Sequence, residues 1–149
     1  MTHSYRAHYF HIVWGTRNRE KWITPEIQPD LYNYINGIIR NYKGALLKAG
    51  GMSDHIHLLI GLNVPSKFIE IIRDVKSYST TWIRKNNPNH AMFAWQEGYG
   101  SFSVSYSGIE NVLRYIENQE EHHKIMTFET EYISLLKKHH IVYDERFVL

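Results

Sequence analysis

The sequence predicts an α+β fold, in which helices pack on one face of an antiparallel sheet as a two-layer sandwich. Stretches of alternating apolar residues, typical of strands, are interspersed with stretches of helical spacing. Their order is strand, helix, strand, strand, helix, strand, helix, which is typical of a ferredoxin-like arrangement. The 149 residues contain no linker, repeat or low-complexity segment. We therefore predict a single domain over residues 1–149.

The first strand is predicted from Tyr5 to Gly15, where apolar and other residues alternate. Thr24-Pro25-Glu26 is typical of a helix start, but Pro29 lacks a backbone N–H and places the regular helix near that residue. The apolar residues of this helix keep helical spacing until Gly44, which is expected to end it. They are Leu31, Ile35, Ile38, Ile39 and Tyr42.

The remaining elements follow from the same patterns and from turn residues. Asp54 and the residues before it indicate a turn between two strands. Ser107-Gly108-Ile109-Glu110 reads as a capping box that opens a helix. In chain order we predict strands at 45–52 and 55–62, a helix at 65–85, a strand at 101–106, a helix from 109, a last helix from about 127 and an extended tail from 141.

Two histidines share one face of the third predicted strand. His55 and His57 are separated by Ile56, and alternate residues of a strand point to the same side. Two imidazoles about 7 Å apart along a strand can converge on one divalent ion. Ten histidines make chance pairs frequent, so the pair alone is a weak motif. We expect both rings at the rim of a site, where their replacement would leave the fold intact.

Tyr115 and Gln119 lie four residues apart on one face of the predicted third helix. Tyrosine is a competent nucleophile once it is deprotonated or assisted by a metal, and glutamine offers a neutral oxygen ligand. Taken alone, Tyr115 reads as a packed aromatic and Gln119 as a surface residue. His122 and His123 follow one turn later and are the next candidate ligands.

Composition excludes several classes of protein. The absence of cysteine excludes a disulfide framework and a thiolate zinc site, and fits a reducing cytoplasm. Neither a signal peptide nor an apolar membrane span is predicted. The net charge of +2 does not by itself indicate a nucleic-acid partner. Local basic residues are candidates for backbone contact with DNA: Arg17, Arg19, Lys76 and Arg84.

The histidine pair and the tyrosine helix together resemble a known family. His55-Ile56-His57 followed by Tyr115-Ile116-Glu117-Asn118-Gln119 is similar to the single-tyrosine HUH transposases of bacterial insertion sequences, relatives of the REP-associated tyrosine transposases. Three flanking segments also match, and the resemblance covers nearly the whole chain in the right order. Ser53 stands where the family usually has proline. The matching segments are 51–54, 95–99 and 117–123.

The resemblance implies a mechanism and a set of partners. His55, His57 and Gln119 would bind Mg²⁺ or Mn²⁺, and Tyr115 would attack phosphorus to leave a 5′-phosphotyrosine link. The family acts on single-stranded DNA, binds hairpins near element ends and works as homodimers that exchange the tyrosine helix. The segment 105–108 before Tyr115 is small and flexible enough for placement of the helix in its own subunit or in the partner's.

Two other functions compete with strand transfer. A ferredoxin-like module could hold single-stranded nucleic acid by aromatic stacking without cutting it, although this leaves the paired histidines unexplained. A metal-dependent phosphoesterase would use an activated water, but few carboxylates are predicted near the site.

Overall fold

The computed structural model describes residues 3–148, in which four antiparallel strands form one sheet in the order β2-β3-β1-β4. The predicted domain, residues 1–149, extends beyond the described residues at both ends. The antiparallel α+β fold is confirmed. The strands are β1 (Tyr9–Gly15), β2 (Ala45–Met52), β3 (His55–Gly61) and β4 (Gly100–Val104), and the helices are α1 (Gln28–Asn41), α2 (Phe68–Asn86), α3 (Ile109–Glu117), α4 (Gln119–His122) and α5 (Phe128–Lys138).

The two long helices, α1 and α2, pack on one face of the sheet as predicted. The alternation of β1 and β3 sends Ile12, Trp14 and Leu58 to this face, where all three are fully buried. The apolar stripes of α1 and α2 meet them and close the main hydrophobic core. Its helical members include Leu31, Ile35, Ile39, Ile71, Ile72 and Val75.

The shorter helices α3, α4 and α5 cover the opposite face, a second layer of helices that the sequence did not predict. Val13 and Phe102 pack there against α5, while Leu59 packs against α3. Both faces of the central strands are therefore buried. The histidines of β3 lie on this second face, between the sheet and the C-terminal helices.

Several local predictions differ from the structure. The predicted capping box is wrong, because Tyr106–Gly108 forms a 3-10 turn and no side chain caps α3 within residues 3–148. Thr127 does cap α5, since its hydroxyl accepts a hydrogen bond from the Thr130 N–H at 3.3 Å. The predicted extended tail is also wrong at Glu145–Phe147, which form another 3-10 turn.

The β2–β3 hairpin carries two glycines that allow close approach. Gly51 has φ of +149°, and a Cβ atom there would lie 2.3 Å from the His55 carbonyl oxygen. Gly50 lies directly under Ile116 of α3. These glycines let the hairpin turn tightly and bring α3 onto the sheet beside the paired histidines.

Among residues 3–148, the helices are all too short or too polar to cross a bilayer.

Candidate active site

His55 and His57 lie side by side on β3 and are both completely buried. The prediction of a shared face is confirmed, whereas the prediction of a rim position is wrong. The rings are covered by the C-terminal helices, and the ring of Phe128 stacks on His55 with centroids 4.2 Å apart. Replacing these histidines therefore changes packed residues inside the protein.

Tyr115 and Gln119 meet the histidines from the side of α3 and α4. The Tyr115 hydroxyl and the Gln119 Nε2 amide both donate hydrogen bonds to Oε2 of Glu131, the second at 2.9 Å. Oε1 of Gln119 lies 2.7 Å from Nε2 of His55. The structure thus brings all four predicted residues together in one chain, around a carboxylate that the sequence analysis did not select.

Glu131 is the centre of the cluster. Its Oε1 lies 3.1 Å from Nε2 of His57, 3.4 Å from Nε2 of His55 and 3.0 Å from Nε2 of His123. The residue is 1% exposed. One sequence signal could have found it, because Phe128, Glu131 and Leu135 occupy successive positions of one helical stripe. An acid on an otherwise apolar stripe needs a buried partner.

Three histidines turn Nε2 toward this carboxylate while a neighbour holds Nδ1. Nδ1 of His55 contacts the Asp54 carboxylate at 2.7 Å, and Nδ1 of His123 contacts the Met126 carbonyl oxygen at 2.9 Å. Nδ1 of His57 lies 2.8 Å from Nε2 of His11, a buried residue of β1 that the sequence analysis missed. Such outer partners fix the orientation of metal-binding imidazoles.

The charges in the cluster depend on its burial. Burial disfavours ionisation of Glu131, but hydrogen bonds from His57 and Tyr115 and the nearby imidazoles hold its pKa below the usual range. Burial and the Glu131 charge raise the pKa of Tyr115. Burial lowers the pKa of His57, and it lowers that of His11 to about 3. The environment of the cluster thus favours the charged form of Glu131 and the neutral forms of Tyr115, His11 and His57.

Comparison with known proteins decides the family. A family profile described as "Transposase IS200 like" matches residues 4–119, most of the chain. The chain belongs to this family of transposases. The family match confirms the resemblance drawn from the paired histidines and the tyrosine helix. No curated protein sequence matches the chain.

Two solved structures share the fold of this IS200-like transposase. A candidate transposase from Deinococcus radiodurans R1 has 22% identity and a TM-score of 0.61, with 80% of this chain and 95% of that chain covered. A REP-associated tyrosine transposase bound to a REP hairpin has 16% identity and a TM-score of 0.62, with 83% of this chain and 74% of that chain covered. At these identities the likeness shows the fold alone.

The site of the transposase fits a divalent cation. Donor atoms of His55, His57 and Glu131 all lie within 4.8 Å of one another. Imidazole nitrogen and carboxylate oxygen are common ligands of divalent ions, and both histidines have the outer partners expected of ligands. Carboxylates were predicted to be scarce near the site, but the structure places one there, Glu131 of α5.

The predicted DNA-contacting residues of the transposase differ in their exposure and in their hydrogen-bond partners. Arg17 and Arg19 are exposed beyond the end of β1, and Arg84 is exposed on α2. Lys76 is half-buried, and its ammonium donates to the carbonyl oxygens of residues 96, 97 and 98 at 2.7–3.0 Å. Three backbone acceptors use the three protons of that ammonium, so the geometry favours a structural role for Lys76 over phosphate contact.

Proposed function

We propose that this chain is a metal-dependent transposase that cleaves and rejoins single-stranded DNA through a covalent 5′-phosphotyrosine intermediate. One observation carries the proposal: the Tyr115 hydroxyl and the His57 ring contact the two oxygens of the same Glu131 carboxylate. The nucleophile and the proposed metal ligands are therefore adjacent. A scissile phosphate at that place would contact both.

The residues suit an in-line attack on phosphorus. The Tyr115 oxygen would form a bond to phosphorus as its proton passes to Oε2 of Glu131, which already accepts a hydrogen bond from it. The bond to the 3′ oxygen would break, and that oxygen would take up a proton to leave a free 3′-hydroxyl. The phosphotyrosine link conserves the energy of the phosphodiester, so the strand can be rejoined without ATP. His55, His57 and Gln119 would hold a divalent ion, Mg²⁺ or Mn²⁺, which would supply charge neutralisation at the phosphate.

Two of the cavities that border the cluster are lined by lysines as well as by residues of the cluster. One of about 470 Å³ is lined by Tyr115 and His11 and includes Lys138. The other, of about 600 Å³, is lined by Asp54 and His123 and includes Lys21 and Lys124. Lysines at both openings suit the approach of a phosphate backbone, because release of counterions favours such contacts. Backbone contacts at Arg17, Arg19, Lys76 and Arg84 stay predictions.

The wider parts of the proposal concern substrate and assembly. A REP-associated transposase of similar fold is bound to a REP hairpin, and we propose that this chain also recognises hairpin-bearing element ends as a single domain in the cytoplasm. The homodimer and the exchange of tyrosine helices between subunits stay predictions. In the single chain, Tyr115 contacts Glu131 of the same subunit.

The proposal is tested by detection of a covalent protein–DNA adduct. A labelled single strand with a hairpin, incubated with the protein and Mg²⁺ or Mn²⁺, is expected to give a denaturation-resistant protein–DNA band, and mass spectrometry should locate the nucleotide on Tyr115. Tyr115→Phe loses only the hydroxyl and should form no adduct. Tyr106→Phe is the matched control, because Tyr106 is 75% exposed just before α3. An adduct that persists in Tyr115→Phe would reject the nucleophile.

A water-activating phosphoesterase is the second candidate, and Glu131 is the observation that favours it. A buried carboxylate next to two imidazoles could hold a metal-activated water. Cleavage of the labelled strand without any covalent band would support this function. A mobility shift without cleavage would instead support a single-stranded nucleic-acid-binding module.

A further inference from the structure

Residues beyond the family-matched segment contribute donor atoms to the histidine cluster. The match ends at residue 119, whereas His123 and Glu131 follow it. Nε2 of His123 lies 3.0 Å from Oε1 of Glu131 and 3.2 Å from Oε1 of Gln119. With His55 and His57, five side chains are joined by pairwise contacts of 2.7–3.4 Å between nitrogen and oxygen atoms, and donor atoms of His55, His57 and Glu131 all lie within 4.8 Å of one another. His123 is almost fully buried, with 8% of its side chain exposed.

The hydrogen bonds around the rings show where their protons lie. A carbonyl oxygen only accepts, so the contact between Nδ1 of His123 and the Met126 carbonyl places a proton on Nδ1. The Asp54 carboxylate likewise accepts from Nδ1 of His55. In a neutral imidazole the other nitrogen then carries a lone pair and no proton. In that form, Nε2 of His55 and Nε2 of His123 are acceptors that face the cluster.

These acceptors face other acceptors. The Gln119 amide donates from Nε2 to Oε2 of Glu131, which fixes its oxygen toward the rings. That oxygen lies 2.7 Å from Nε2 of His55. A divalent cation among these atoms would be stabilised by their lone pairs, because imidazole nitrogen and amide or carboxylate oxygen are common ligands of such ions.

We propose that His123 and Glu131 bind the same divalent ion as His55, His57 and Gln119. The inference rests on the proposed metal site and extends its ligand set from three side chains to five. Ligands about 2.1 Å from an ion and at right angles lie about 3 Å apart, and the contacts in the cluster measure 2.7–3.4 Å. In a six-coordinate ion, five protein ligands leave one position for a phosphate oxygen.

The ligand types also predict which ion is bound. Three imidazoles and one carboxylate suit first-row transition ions such as Mn²⁺ or Zn²⁺, whereas Mg²⁺ prefers oxygen ligands and keeps several waters. Tighter binding of Mn²⁺ than of Mg²⁺ is therefore expected. The second oxygen of Glu131 accepts a hydrogen bond from the Tyr115 hydroxyl. Glu131 is therefore also a positioning residue for the nucleophile.

The experiment measures metal binding rather than cleavage. Titration calorimetry with Mn²⁺ on the full chain is expected to show that His123→Asn and Glu131→Gln each raise the dissociation constant at least about tenfold. His122→Asn is the matched control, because the neighbouring ring packs against Tyr115 and contributes no donor atom to the cluster. Its constant should equal that of the wild type. Thermal unfolding of the metal-free variants checks that each is folded.

A second measurement needs no variant. In the nitrogen-15 spectrum of the histidine rings, Zn²⁺ should move the Nε2 resonances of His55, His57 and His123 together. If only His55 and His57 respond, or if His123→Asn and Glu131→Gln bind Mn²⁺ as the wild type does, the extended ligand set is overturned while the proposed function stands. If all three rings respond but no DNA adduct forms, the ligand set stands and the proposed function fails.

Discussion

Replacing Gly50 by alanine tests whether α3 must lie against β2 to place Tyr115 in the site. A Cβ atom at Gly50 would lie 2.7 Å from Cγ2 of Ile116 and 2.9 Å from its carbonyl oxygen. Ordinary contacts begin at 3.4 Å, so α3 must retreat by about 0.5–0.7 Å, because a backbone oxygen cannot rotate away. Overpacking of this kind costs about 1–3 kcal/mol. A shift approaching 1 Å at reacting groups lowers the rate by up to about 100-fold.

Two assays separate the effects of this substitution. Urea denaturation measures the free energy of unfolding, and single-turnover adduct formation on the hairpin substrate measures the placement of Tyr115. Gly37→Ala is the control, because a Cβ atom there meets no neighbour within 4 Å among residues 3–148. Gly37 is an exposed position of α1, so the alanine there should stabilise the protein by up to about 1 kcal/mol. Wild-type stability together with a wild-type adduct rate in Gly50→Ala would refute the reasoning.

Three further predictions concern the site and its substrate. Gln119→Ala should raise the metal concentration needed for half-maximal cleavage, and an unchanged metal titration would make Gln119 only a packed residue. Mixing Tyr115→Phe with a His55→Asn, His57→Asn double variant should restore adduct formation if the tyrosine acts in the partner subunit; no recovery after confirmed subunit exchange would place it in its own subunit. Hairpin affinity, measured by fluorescence anisotropy, should fall as salt rises, and equal affinity for an unrelated blunt duplex would contradict hairpin recognition.

Hydrophobic periodicity predicted the sheet and the long helices because those elements bury residues with a regular period. The bounds of β2 were predicted to the residue. The position of α3 and α5 could not be predicted in the same way. An apolar stripe shows that a helix is buried, but it does not show which face of a sheet receives it. The second layer is therefore visible only once β1 and β3 are paired and Val13 and Leu59 are seen to need cover.

The residues of the candidate site were likewise only partly predictable from the sequence. Strand alternation was sufficient to place His55 and His57 together, because their relation is local. The contact of His57 with His11 depends on the register of two strands, in which Val13 pairs with His57 and His11 pairs with Leu59. The pairing register of two distant strands cannot be predicted from the sequence of either strand alone. His11 is therefore a residue that only the folded chain reveals.

The segment after the family match contributes Glu131 to the candidate site. Phe128, Tyr132 and Leu135 on the same helix close the second hydrophobic cluster over Val13 and Phe102. The packing that stabilises α5 also fixes the position of the carboxylate between Tyr115 and the histidines. Loss of α5 would expose these apolar residues and remove a charged partner from buried imidazoles at once. Stability and site geometry therefore depend on the same helix, and functional assays of this transposase require the chain through that helix.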